Sequence, residues 1–190
     1  MTTTSPDSRR LQKKRTLATA IEVKTASKRR AIPGSPKVNI ASAMRQRAPL
    51  SFTNVYELSL VEQIDLIRAG IAPDVLKAMI QKMDLPQQKV LGYLALPTAT
   101  INRKIKRKEL LSPSDSARVL GLASLIGQVQ TMVDRSGNPE AFDAAKWVAG
   151  WMERPLPALG GMRPAEYLDT IAGQNLISDL LSMMESGAYA

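Results

Sequence analysis

The sequence contains no cysteine and no histidine. The first absence excludes disulfides, thiolate metal sites and cysteine nucleophiles. The second removes the commonest metal ligand and the commonest general base. Any catalysis would have to run on Asp, Glu, Lys, Ser or Tyr. No paired-carboxylate or glycine-rich phosphate motif is found, and Asp65, Asp74 and Glu109 stand singly, as caps or surface charges. We therefore read the chain as a non-enzyme, with no cofactor and no metal. Aromatic residues are scarce at 4%, against a hydrophobic fraction of 44% made mostly of Leu, Ile, Val, Ala and Met. That balance favours packed helices over a β-sandwich. No apolar run approaches the roughly 18 residues of a membrane span, and no signal-peptide core is visible. A cytoplasmic protein without a membrane partner is expected.

Charge, by contrast, is abundant and uneven. The net charge is +9 over 190 residues. Residues 1–47 hold 12 Lys and Arg against 2 Asp and Glu, a net of +10. Residues 48–190 hold 14 against 15, a net of −1, and within them residues 109–190 hold 5 against 10, a net of −5. Residues 1–50 are rich in Ser, Thr, Ala and basic residues, are interrupted by Pro33–Pro36, and show no sustained apolar period. We read them as a disordered basic arm suited to nucleic acid. A solubilising tail and an Arg-rich transit peptide are the alternatives.

From about Tyr56 the pattern is helical and no strand alternation is found. "LSLVEQIDLIRAG" sets Leu60, Ile64 and Ile67 on one face, closed by Gly70. "PDVLKAMIQKMD" lines up Val75, Leu76, Met79, Ile80 and Met83 behind Pro73. The longest helix runs through "SPSDSARVLGLASLIGQVQTMVDRSGN", with Val119, Leu122, Ile126, Val129 and Val133 at three-to-four spacing. Ser112 or Ser114 caps it, and Gly137 and Pro139 close it. "PEAFDAAKWVAGWM", "PAEYLDTIAG" and "QNLISDLLSMME" read as three more helices, with the loop "RPLPALGGMRP" among them. The fold class is all-α.

"QQKVLGYLALPTATINRKIKRK" has the form of a helix-turn-helix. Val90, Leu91 and Leu94 face inward from the first helix, Ile101 and Ile105 from the second. At 100° per residue Arg103, Lys106 and Arg107 then point outward, with Asn102 on the flank. Lys104 and Lys108 fall nearer the core and must snorkel. Arg pairs with guanine edges and Asn with adenine, so Arg103 and Asn102 are candidate base readers; Lys106 and Arg107 are candidate phosphate contacts. A solvated basic face is the competing reading. The turn carries Ala95 where such turns often carry glycine.

These stretches, with "LIRAGIAPDVL", "LLSPSDSARVLGLASL", "NPEAFDAAKWV", "LPALGGMRPAEYLDT" and "LLSMMESGAYA", give the chain from about Leu58 to Ala190 its resemblance to antitoxins of the Xre/ParS type, the DNA-binding partners of RES-domain toxins. Residues 1–50, the basic disordered arm read from composition, lie outside the resemblance, which implies an Xre-like helix-turn-helix domain at 56–111 and a helical toxin-binding domain at 112–190. It implies a bacterial cytoplasmic antitoxin, nucleoid-associated when bound to DNA. Such a protein blocks a RES toxin that consumes NAD or uses it to ADP-ribosylate a target, and represses its own operon as a homodimer or with the toxin as co-repressor. We set the dimer interface on the apolar residues of the 115–133 helix. The alternative is a stand-alone helix-turn-helix regulator.

In this frame the loop Leu159, Gly160, Gly161, Arg163 and Pro164 is a docking surface, because paired glycines permit positive φ and Pro164 opens a helical turn. Gly187 ends the last helix. Tyr189 and the Ala190 carboxylate then project, and a carboxylate is a plausible surrogate for a substrate phosphate before an arginine. A Tyr189 packed on its own domain is the plainer reading.

Deleting residues 1–47 is expected to leave the helical fold and its melting temperature unchanged and to flatten the salt dependence of DNA binding. Circular dichroism and a salt series of binding isotherms check it. An unchanged salt slope returns the arm to a solubilising tail.

Overall fold

The computed structural model of the chain describes residues 51–137 and 142–187. The basic arm, Pro139, Tyr189 and Ala190 lie outside them. Among the described residues every regular element is helical. In chain order these are α1 (Phe52–Tyr56), α2 (Leu60–Ala69), α3 (Pro73–Met83), α4 (Gln87–Tyr93), α5 (Thr98–Arg107), α6 (Pro113–Ser136), α7 (Ala144–Trp151), two 3-10 turns at Pro157–Leu159 and Pro164–Tyr167, and α8 (Ile171–Glu185).

The boundaries follow local chemistry. Ser59 and Glu62 form a reciprocal capping box that starts α2. Pro73 occupies the first turn of α3, where its missing N–H costs nothing. Ser112 caps α6 by accepting from the Asp115 amide, Pro113 opens its first turn, and Gly137 at φ 83° ends it.

Helix α6 is the framework. It packs against α1, α2, α7 and α8. Val119, Leu122, Ala123 and Ile126 are wholly buried. So are several polar side chains, most of which find partners across to neighbouring elements. Gln128 donates to the Ser178 carbonyl and accepts from the Ser178 hydroxyl, at 2.9 and 2.8 Å. The Ser116 hydroxyl accepts from the Ile71 amide at 3.0 Å. Gln174 on α8 donates to the carbonyls of Arg118 and Leu168 at 3.0 and 2.8 Å. These bonds fix the rotation of α8 against α6, which greasy contacts alone leave loose.

The stripe on α3 is buried as its spacing required. Four expectations need correction. Of the face read on α2, Ile67 packs half-buried on the core, but Leu60 and Ile64 are 76% and 45% exposed, as is Val61 at 68%, and the buried residue is Leu66 at 2%. Periodicity identifies an apolar face but not what lies beside it. A helix before Tyr56 was not anticipated: α1 is five residues long, too short for any period, yet it lies on α6. "PAEYLDTIAG" is not one helix. It makes a 3-10 turn at Pro164–Tyr167, and α8 begins at Ile171 because the Thr170 hydroxyl caps the Gly173 amide. Finally, most of the apolar stripe of the 115–133 helix, Val119, Leu122, Ile126 and Val129, is buried in the chain's own core and is not free to form a dimer interface; Val133 stays half-buried.

The crossing of α1 over α6 depends on Gly127, where a Cβ would run into the Phe52 carbonyl. Gly127→Ala is expected to destabilise the fold by about 1–3 kcal/mol. Gly150→Ala on α7, which meets open space, should instead be neutral or stabilising by up to about 1 kcal/mol. Denaturant melts of the two variants check the contrast.

Candidate functional site

Two surfaces carry the residues singled out in the sequence. The first is built on α4 and α5. Buried Val90, Leu91, Leu94 and Ile101, with half-buried Ile105, seat the pair on the core. That leaves Asn102, Arg103, Lys106 and Arg107 exposed together on α5. Gln87 at the start of α4 donates through its side-chain amide to Oδ1 of Asn102 at 2.9 Å, tying the helices and leaving the Asn102 side-chain NH2 as the group still able to donate. Arg107 sits 3.6 Å from Glu109, an exposed pair worth little. The Lys104 ammonium donates to the Leu110 carbonyl at 2.7 Å. Lys104 is therefore half-buried as expected, whereas Lys108 is exposed and caps α5 in the left-handed region at φ 55°. Lys104, Lys106 and Arg107 also crowd the last turn, where the helix dipole favours cations.

The turn between α4 and α5 has a definite geometry. Leu96 donates its amide to the Leu91 carbonyl at 2.8 Å, and Ala95 adopts φ 48°, a region that L residues with a Cβ rarely occupy. Arg118 on α6 holds it there. Its guanidinium donates to the Ala95 carbonyl at 3.0 Å and pairs with Asp115 at 2.7 Å. Neither Gln87 nor Arg118 was singled out in the sequence. The spacing of 15 and 23 residues between the partners leaves no local signal.

The second surface is the loop after α7. The amide of Leu156 donates to the Met162 carbonyl and that of Gly161 to the Leu156 carbonyl, both at 3.0 Å, which folds residues 156–162 back on themselves. Gly160 and Gly161 take φ 64° and 85°, as the turn requires. Leu159 is only 8% exposed and Pro164 is buried, so both anchor the loop, while Met162, unremarked in the sequence, is 44% exposed beside Arg163. Arg163 donates through Nε to Glu166 at 2.9 Å. The hydrogen bond from the Arg163 side chain, then that from its amide, holds the Glu166 carboxyl below the usual carboxylate range. On the other side of the loop, Glu153 pairs with Lys89 of α4 at 2.9 Å, so the loop touches the first surface. Gly187, at φ 69°, ends the turn after α8 and is exposed.

Among the described residues no His/Cys/Asp/Glu group is arranged to hold a metal ion, and no helix is long and apolar enough to cross a membrane. The arrangement offers cations and amides on one face and a backbone-rich loop on another, which is the equipment of binding.

Comparison with known proteins agrees with this division. Residues 62–124 match the antitoxin Xre-like helix-turn-helix domain, and residues 140–187 match the antitoxin Xre/MbcA/ParS C-terminal toxin-binding domain. The chain is 42% identical over 142 residues to the Prs ADP-ribosylating antitoxin of Sphingobium sp. (strain YBL2), covering 75% of this chain and 89% of that protein. The chain belongs to the Xre/MbcA/ParS antitoxin family, and is an antitoxin with a helix-turn-helix domain and a toxin-binding domain.

Ala95→Gly is expected to stabilise the chain by about 0.5–1 kcal/mol, because the left-handed penalty of a Cβ exceeds the extra unfolded-state entropy of glycine. The denaturation midpoint measures it, and an unchanged or lower midpoint counts against strain at the turn.

Proposed function

We propose that this antitoxin blocks the active site of a RES-domain toxin that consumes NAD or ADP-ribosylates a target, and represses its own operon as a cytoplasmic homodimer, nucleoid-associated when on DNA. ADP-ribosylation is taken from the name of the Sphingobium relative. The observation that carries the reading is the presence of two exposed surfaces in one helical fold: the basic face of α5, which packs on α3, and the loop at residues 156–164 with the end of α8, which packs on α6. Asn102 and Arg103 read base edges, and Lys106 and Arg107 hold phosphates. The backbone of Gly160 and Gly161 and the side chain of Arg163 dock on the toxin, with Leu159 and Pro164 holding the loop in shape. Gly187 releases the chain from α8 so that Tyr189 and Ala190 enter the toxin's cleft. The acidic balance of residues 109–190 steers that surface toward a basic mouth. Two-fold symmetry matches a palindromic operator, and the exposed Leu60, Val61 and Ile64 of α2 supply apolar surface for it.

Two variants separate the halves of the proposal. Arg103→Ala is expected to lower operator affinity by about 1–3 kcal/mol and to relax preference at one base position, with toxin neutralisation intact. Tyr189→Ala should do the reverse, releasing toxin activity in a growth assay while operator binding by fluorescence anisotropy holds. A Tyr189→Ala chain that folds and neutralises fully removes the cleft-entering role. An Arg103→Ala chain that binds the operator as the parent does removes the base-reading role.

A further inference from the structure

Apart from the glycine loop, which contributes none of its lining, the toxin-binding domain carries a hollow of about 270 Å³. Val129, Met132 and Val133 at the end of α6 form its floor, Phe142 and Trp147 one wall, and Leu181 and Met184 of α8 the other. Trp147 is held in place by its neighbours: its ring stacks on buried Trp151 at 5.7 Å and 12°, and meets Phe142 at 6.2 Å and 46°. Glu185 is the one acid on the rim, 3.8 Å from Arg135.

Size and chemistry narrow what this hollow fits. Small-molecule sites hold about 300–1,000 Å³ and present several convergent polar groups. This one lies below that range, and its lining is apolar apart from Glu185. A volume of this order accepts one large side chain. Its walls are aromatic and aliphatic groups, with Trp147 fixed by its ring contacts, the kind of pocket in which interface anchors sit.

Position names the partner. Phe142, Trp147, Leu181, Met184 and Glu185 all fall within residues 140–187, the matched toxin-binding domain. Met184 and Glu185 are also the last turn of α8, directly before Gly187. A toxin lying against the residues after Gly187 must cover the base from which they leave. We propose that the hollow is a second anchor point for the cognate toxin, receiving one apolar side chain that projects from a basic surface, with Glu185 facing that surface's cations. The proposal rests on the toxin-binding reading above and adds to it a contact separate from the glycine loop.

Two substitutions test it against a catalytically inactive form of the toxin encoded beside the antitoxin. Met184→Glu puts a charge on the exposed rim, and Val133→Phe fills the hollow from within. Each is expected to weaken the complex at least tenfold by calorimetry, while Met184→Leu stays within threefold of the parent. Melting temperatures and far-ultraviolet spectra show which variants fold, and either variant suffices if the other does not. Folded variants that bind like the parent overturn the anchor and leave the toxin-binding reading standing. A parent chain that binds no toxin overturns both. If Tyr189→Ala lowers the melting temperature of the free chain, and Val133→Phe has no further effect in that background, the hollow holds the chain's own Tyr189 and the proposal is overturned.

Discussion

A helix of 24 residues that is covered along several faces leaves its neighbours little freedom, and α6 is such a helix. Its apolar residues are not confined to one stripe. Val119, Leu120, Leu122, Ala123, Leu125 and Ile126 are all buried, so partners must be found all around it. Short α1 takes one side, α2 and α8 others, and α7 its end. The polar groups that α6 carries inward bond across to those partners. Ser116 meets Ile71, Gln128 meets Ser178 and Ser182, and the Arg118 carbonyl meets Gln174. Each unmade bond would cost about 1–3 kcal/mol. The apolar contacts supply most of the stabilisation, and the polar ones select one arrangement of it.

The same helix meets the turn of the helix-turn-helix at one end and the apolar hollow at the other. Near its N-terminus Arg118 grips the carbonyl of Ala95 and so sets the angle at which α5 leaves the turn. Near its C-terminus Val129, Met132 and Val133 floor the apolar hollow. Between them Gly127 lets the α1 backbone approach. A second tie, Lys89 to Glu153, runs from α4 to the glycine-rich loop. Both ties are electrostatic and partly exposed, so they orient the surfaces more than they stabilise them.

Much of this was legible in the residues. The stripe Val75, Leu76, Met79, Ile80 and Met83 is buried as its spacing demands. The inward set Val90, Leu91, Leu94 and Ile101 directs Arg103 and Lys106 outward. The paired glycines at 160 and 161 adopt the positive φ that only their lack of a Cβ makes easy. Ser112, Gly70 and Gly137 mark helix ends. Other features were not legible. Leu60, Ile64 and Ile67 have the spacing of one buried face, yet only Ile67 packs on the core while Leu60 and Ile64 lie in solvent. Leu159 and Met162 are both apolar loop residues, and nothing in their order tells which anchors and which is presented.

Sequence by itself determined the elements that rest on local physics: helical period, caps, glycine turns, and the one face of α5 on which its cations stand. Those depend on atoms within about four residues of one another, so the order of residues is enough. Tertiary structure alone decided which apolar face found a partner, that Arg118 would hold Ala95 across 23 positions, and that Phe142, Trp147 and Met184 would enclose one hollow. Such pairings are chosen by the simultaneous filling of a single core, where each side chain's neighbour is fixed by the shape left by all the others.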